Sequence, residues 1–328
     1  MKAVVCRSFG TIEDLALEEL PDPKPGQRQI RVRVDAAGVN FPDTLIVQGL
    51  YQFKPPFPFS PGGEIAGEVL EVGEGVEGIE VGDRVAATMI WGGYAEQVVV
   101  EAAQAVKLPD TMPTDIAGGF FLTYLTTYHG LVDRARLQPG ETLAVLGAAG
   151  GTGLSAVELG KALGARVIAC ASSPEKLELC RAHGADVGID YSHTDLKTEL
   201  KKATDGEGVD VLYDPVGGSY AEPALRSMAW RGRFLVVGFA SGDIPKVPLN
   251  LALLKGCDIV GVFWGSFAAR EPAEMKRQAG ELLRLHAEGK LQNHIHERYP
   301  LERAVDALKD ILARKVRGKA IITPGLTG

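Results

Sequence analysis

Residues 142–164 constrain this chain more than any other stretch. Thr142–Gly147 reads TLAVLG, a continuous apolar run. Gly147-Ala148-Ala149-Gly150-Gly151-Thr152-Gly153 follows at once, and Leu154–Gly164 then reads as an apolar helix. A strand apolar on both faces predicts a parallel strand in a sheet covered on both sides. A glycine-rich turn between strand and helix allows a tight bend, close approach of a ligand to the backbone, and free N–H groups at a helix N-terminus. These are the needs of a diphosphate. The spacing is G-x-x-G-G-x-G rather than G-x-G-x-x-G, so the strand–turn–helix context carries the reading. Gly147, Ala149, Gly150, Gly151, Thr152 and Gly153 are therefore the expected cofactor-binding residues. The alternative is an ordinary strand-to-helix turn in an alanine- and glycine-rich chain.

The same alternation continues after Gly153. Arg166–Ala171, Val187–Asp190, Val209–Asp214, Arg233–Gly238 and Asp258–Val262 read as short strands. Helices are predicted over Pro174–His183 and near 194–204 and 219–230. Short apolar strands alternating with helices predict a doubly wound parallel sheet. Before Thr111 the character is different. Ile30-Arg31-Val32-Arg33-Val34 alternates apolar and charged residues, the period of a half-buried strand. Tyr94–Val100 and the segments between the glycines of 62–85 also read as strands, and prolines 55, 56, 58 and 61 punctuate a long loop. After Phe263, amphipathic helices are predicted near 273–289 and 302–314, with a last strand over Lys319–Thr323. The 328 residues suffice for about two domains.

The residues after the second strand bear on which dinucleotide is bound. A site for NAD usually has an acidic residue at that strand end, on the ribose 2′-hydroxyl. Here the strand runs into Ser172-Ser173-Pro174-Glu175-Lys176. Two hydroxyls and a lysine suit a 2′-phosphate through charge-assisted hydrogen bonds, which favours NADPH. Glu175 points the other way, and Ser173 also reads as a helix N-cap before Pro174 at the first helical position; both readings can hold together.

An ordered set of motifs resembles the medium-chain dehydrogenase/reductase superfamily, and within it the quinone oxidoreductase or zeta-crystallin group. The set is Gly38-Val39-Asn40-Phe41-Pro42-Asp43, Pro61-Gly62-Gly63-Glu64-Ile65-Ala66-Gly67, Val81-Gly82-Asp83-Arg84-Val85, Gly92-Gly93-Tyr94-Ala95-Glu96, Leu125-Thr126-Thr127-Tyr128 and the 147–153 turn. Ala144 and Glu158 depart from the group's pattern, where Leu and Gln are usual. The resemblance implies an α/β protein with a GroES-like β-rich domain (1–124), a Rossmann doubly wound parallel-sheet domain (125–262) and a C-terminal return to the first domain (263–328). Nicotinamide and substrate would lie in the cleft between the two domains. In the zinc-dependent alcohol dehydrogenases a Cys follows the Gly-Val and a His precedes the Glu of the second motif. Here Asn40 and Gly63 stand there, so no metal is expected. Without that Lewis acid, alcohol oxidation is disfavoured, and an electron-poor acceptor such as a quinone or an activated alkene suits the chain.

The resemblance also marks site residues. Asn40 is a candidate donor to a substrate oxygen or the nicotinamide ribose, with a turn residue as the structural alternative. Tyr51, in the proline-rich loop, is a candidate donor to a developing oxyanion, or else a packing aromatic. Thr126 matches a threonine that approaches the nicotinamide, or bonds back to its own helix. Tyr191 and Lys176 are expected at the 2′-phosphate. Gly238, Phe263, Trp264 and Lys319 are expected beside the cofactor, and Glu64 reads as structural.

These readings make the chain an NADPH-dependent, zinc-independent reductase of quinones or related electrophiles. An enone or acrylyl-type double-bond reductase is the alternative, and a zeta-crystallin-like structural or RNA-binding protein is one of another class. A balance of 35 basic against 42 acidic residues argues against nucleic acid. No run approaches a membrane span, and the N-terminus does not read as a signal peptide. Four scattered cysteines suit a reducing cytoplasm. A homodimer is expected, joined edge to edge through the strand near Asp258–Val262.

Overall fold

The computed structural model describes residues 1–325. The strands are β1 (Lys2–Val5), β2 (Ala16–Glu19), β3 (Gln29–Val39), β4 (Glu64–Val72), β5 (Arg84–Thr88), β6 (Gln97–Glu101), β7 (Ala105–Lys107), β8 (Thr142–Leu146), β9 (Arg166–Ala171), β10 (Val187–Asp190), β11 (Val209–Asp214), β12 (Met228–Val236), β13 (Asp258–Gly261), β14 (Ile295–Pro300) and β15 (Lys319–Thr323). The chain forms two compact units. Met1–Leu122, Pro272–Ala279 and the chain from Asn293 onward make the first, and Thr123–Glu271 with Gly280–Gln292 the second. The C-terminal return is thus not one block from 263. Residues 263–271 and 280–292 stay with the second unit, and the cut falls inside the helix Pro272–Ala287.

In the first unit the sheet runs β14-β15-β3-β4-β5-β7, with β6 also paired to β3. The eleven-residue β3 makes this possible. Residues 29–33 pair with β6 and 37–39 with β15, while the other side of the strand takes β4. Ile30, Val32 and Val34 are buried as their alternation requires, and Arg33 between them is exposed. They join Val39, Ile65, Val85, Tyr94, Tyr299 and Ile322 in one core.

In the second unit six strands run β10-β9-β8-β11-β12-β13, every neighbouring pair parallel. Strand order reverses between β8 and β11, the switch point at which open α/β sheets bind ligands. Leu143–Leu146 and Val167–Cys170 are fully buried, as expected of strands covered on both faces.

One sequence expectation is corrected. The helix predicted over 219–230 is only Ala221–Leu225, because β12 begins at Met228, five residues before Arg233. Met228 and Ala229 are apolar and buried, so polarity did not mark the change. Among the described residues no helix is long and apolar enough to cross a membrane.

Candidate active site

The glycine turn has the predicted form. Gly150 is the N-cap of helix Gly151–Ala162, and its N–H donates to Gly147 O at 3.0 Å. Ala148 N–H donates to Cys170 O, tying the turn to β9. Gly147 has φ +58°, a conformation that favours glycine. A Cβ on Gly153 would lie 2.2 Å from Gly147 O, so only glycine lets the helix pack this closely on the turn. The first N–H groups of the helix have no intrahelical acceptor and make a ready anion site.

At the ends of β9 and β10, register places the next group of predicted residues together. Asp190 pairs with Ala171, so Tyr191 and Ser172 leave adjacent strand ends. Lys176 Nζ donates to Ser172 Oγ at 3.1 Å, and Ser173 caps its helix by accepting Lys176 N–H at 3.4 Å. The Tyr191 ring packs on Tyr220 at 4.4 Å between centroids. Gly238 N–H donates to Asp214 O at the neighbouring strand ends. Burial raises the Asp214 carboxyl pKa, countered by N–H groups of Gly217 and Val216.

Helix Phe121–Tyr128 carries Thr126. Its neighbour Thr127, not selected from the sequence, is fully buried, with its Oγ1 2.7 Å from Ser155 Oγ and 3.1 Å from the Tyr213 hydroxyl. This chain of hydroxyls ends on Thr152 O inside the glycine turn. Trp264 is buried and its indole N–H has no acceptor among the described residues, while Phe263 is exposed. A buried orphan donor in a folded protein marks a place where another acceptor belongs.

Glu158, the departure noted above, takes three donors: Tyr124 OH at 2.5 Å, His183 Nδ1 at 2.5 Å and Gln292 N–H at 2.9 Å. A glutamine has one acceptor oxygen and an NH₂ that would oppose one of these donors; a carboxylate accepts at both oxygens.

In the first unit β3, β4 and β15 converge. The pairs Ala320–Val39 and Ala37–Ile65 bring Lys319, Asn40 and Glu64 to one end of the sheet. Asn40 Nδ2 donates to Glu64 Oε1 at 3.0 Å and to Gly38 O at 3.2 Å. Lys319 Nζ donates to Asn40 Oδ1, Glu64 Oε1 and Val39 O. Leu122 N–H donates to Glu64 Oε2. Glu64 is structural here, as read. The geometry corrects the expectation for Lys319. An ammonium has three hydrogens, all three have acceptors within the protein, and none remains for a cofactor. Asn40 likewise commits its amide to the protein.

Behind Asn40 lies Asp43, which accepts Asn40 N–H at 2.8 Å and the Tyr94 hydroxyl at 2.6 Å. Burial pushes its carboxyl up to about 6, opposed by the Tyr94 and Asn40 hydrogen bonds and the Lys319 charge. Tyr51 is half-buried, packs on Phe53, and has its phenol pKa raised by burial and by the Asp43 charge.

Residues 26–110 match the alcohol dehydrogenase GroES-like domain and residues 151–283 the zinc-binding dehydrogenase domain. The quinone oxidoreductase-like protein 2 homolog of Nematostella vectensis is 39% identical over 98% of this chain and 88% of that protein. Pseudomonas aeruginosa quinone oxidoreductase is 38% identical over 98% and 99%. The crystal structure of Escherichia coli quinone oxidoreductase complexed with NADPH has a TM-score of 0.93 at 31% identity, covering 99% of this chain and 100% of that one. The second domain model implies zinc, but the donor set does not fit it. Among the described residues no three His, Cys, Asp or Glu side chains are grouped to hold a metal. At the Asn40 and Glu64 positions a lysine ammonium already occupies the acceptors and would repel a second cation.

Asp43 yields a pH prediction. An unfolded aspartate titrates near ~4 and the folded one at about 6. Between these values the folded state binds more protons, so stability falls as pH rises and stays lower above. Asp43→Asn removes this loss, up to ~3 kcal/mol. The melting temperature of the variant relative to wild type should therefore climb between pH 4 and 7. An offset that does not change with pH would refute it.

Proposed function

We infer the function of this chain from the family it belongs to, the quinone oxidoreductase-like group of the medium-chain dehydrogenase/reductase superfamily, and propose that it is an NADPH-dependent, zinc-independent oxidoreductase passing hydride to quinones or related electrophiles. One observation carries the cofactor reading: the glycine turn and the Ser172–Lys176–Tyr191 group occupy adjacent strand ends beside the switch point. The N-terminus of helix Gly151–Ala162 would hold the diphosphate. Lys176 and Ser172 would take the 2′-phosphate, with Tyr191, backed by Tyr220, against the adenosine end. NADPH when bound supplies the hydride.

Thr126, Phe263 and Trp264 are the residues we assign to the nicotinamide end, and the unpaired Trp264 N–H is a donor open to it. Tyr51, a phenol that is protonated at neutral pH, is the donor we assign to the substrate oxygen as charge develops there. Asn40 supports this end through its fixed position. A quinone needs no further acid, because the hydride supplies one hydrogen of the hydroquinone and the one proton that completes it can come from water.

We also propose a homodimer. Among the described residues β13 pairs only with β12 and leaves one edge open, with Ile259 exposed on it and Leu253 and Leu254 exposed on the preceding helix Asn250–Lys255. An apolar open edge calls for a partner, and the second copy offers the same edge. The four free, buried cysteines accord with a reducing cytoplasm.

Three measurements check this reading. Oxidation of NADPH and NADH against ortho-quinones, para-quinones and enones should show NADPH turnover with quinones. Turnover with enones alone would replace the substrate class, and preference for NADH would remove the 2′-phosphate assignment. Lys176→Ala should raise KM for NADPH about tenfold and leave that for NADH nearly unchanged, as loss of a charge-assisted bond predicts. Sedimentation at micromolar concentration should give twice the 34.9 kDa chain mass, and Ile259→Lys should halve it; a monomeric wild type would refute the dimer.

A further inference from the structure

The first unit seals a positive charge among oxygen atoms. Lys319 Nζ lies 2.7 Å from Asn40 Oδ1, 2.8 Å from Glu64 Oε1 and 3.1 Å from Val39 O. Lys319 is 2% exposed and Glu64 1%. A carboxylate, an amide oxygen and a backbone carbonyl around one cation are the donor types a hard metal ion would collect. In the sequence, Asn40 and Gly63 stand where zinc ligands stand in the metal-dependent relatives.

The ammonium also decides which way Asn40 faces. With Oδ1 toward Lys319, the amide hydrogens reach Gly38 O and Glu64 Oε1. A flipped amide would set its N–H against the ammonium and its oxygen against a carboxylate and a carbonyl. Asn40 is also the N-cap position of helix Phe41–Val47, and its backbone N–H donates to Asp43. Glu64 extends the network the other way. Its second oxygen accepts Leu122 N–H, at the second residue of the helix that carries Thr126.

We propose that Lys319 is a positioning residue: its tethered charge does for Asn40 and Glu64 what a bound metal ion would do, neutralising the carboxylate and fixing the amide, without touching cofactor or substrate. Two other roles are distinguishable from this one. A direct cofactor ligand would need an N–H that Lys319 no longer has. A purely structural ion pair could be replaced by an uncharged pair with no effect on Asn40 or on turnover. The kinetic part of the proposal rests on the reading of the chain as an NADPH-dependent oxidoreductase; the rest does not.

The test compares Lys319→Met with Lys319→Met/Glu64→Gln in the full chain. The single variant strands a buried carboxylate and should lose about 10 °C in Tm; the double variant should regain most of it. NADPH affinity, read by fluorescence titration, should stay within about threefold of wild type in both, less than the loss of a charge-assisted contact. The Asn40 side-chain amide, followed by NMR in asparagine-labelled protein, should exchange its hydrogens at least about tenfold faster in the double variant as its closed state is destabilised. With a quinone, kcat should fall about tenfold or more in the double variant, while KM for NADPH holds.

The proposal is overturned by any of four results. These are an unchanged Tm in the single variant, NADPH affinity down about tenfold in both, unchanged Asn40 exchange, or wild-type kcat in the double variant. If the single variant does not fold, the double variant decides. A wild type that turns over no quinone or enone would fail the functional reading alone, since Tm, NADPH affinity and Asn40 exchange would still judge Lys319.

Discussion

Glu64 is a carboxylate shut away from water at the start of β4, and a charge in that position persists only if the protein itself compensates it. Much of the first unit's detail follows from this constraint. Lys319 brings the opposing charge from the far end of the chain, which β15 must carry back to the edge of β3. Gly38 has no side chain because a Cβ there would meet Glu64 Oε1 at 2.4 Å and Gly118 O at 2.7 Å. Asn40 and Leu122 supply the remaining donors. The C-terminal strand is therefore tied to this end of the sheet by charge as well as by ladder bonds.

The second unit is organised by a different constraint, the close approach of backbone to backbone at 147–153. Gly153 without a Cβ lets the helix start against the turn, and Gly160 lets the same helix lie on Leu143, where a Cβ would fall 2.4 Å from the leucine side chain. The buried hydroxyls of Thr127, Ser155 and Tyr213 and the carboxylate of Glu158 then fix that helix to its neighbours. The turn is held from several sides before any ligand arrives, which lowers the ordering cost of binding one.

Legibility from sequence followed the range of the interaction. The strands β8, β9 and β11 were readable because burial on both faces forces continuous apolar runs. The glycine turn and the Ser173 cap were readable because their chemistry is complete within a few residues. Resemblance marked Asn40, Tyr51, Thr126 and Lys319, but residue type could not say what each one touches. Met228–Trp230 was misread as helix because its place in β12, where Met228 pairs with Val209 of β11, and not local propensity, settles its conformation. Thr127, Tyr213 and Tyr220 left no local signal, since their partners lie far off in the sequence.

By itself, then, the sequence determined a parallel α/β layer with a phosphate-ready turn, a β-rich layer before it, and the absence of the two residues that would ligate zinc. These depend on side-chain size, periodicity and the presence or absence of a donor atom, all local properties. Only the tertiary structure decided that Lys319 faces Glu64 and Asn40 instead of a cofactor. It alone showed that Glu158 answers three donors, and that Asp43 lies buried under Tyr94. The physical reason is that a charge or an amide chooses its partner by distance in space, and for Lys319 that distance is set by strand register across more than two hundred residues of chain.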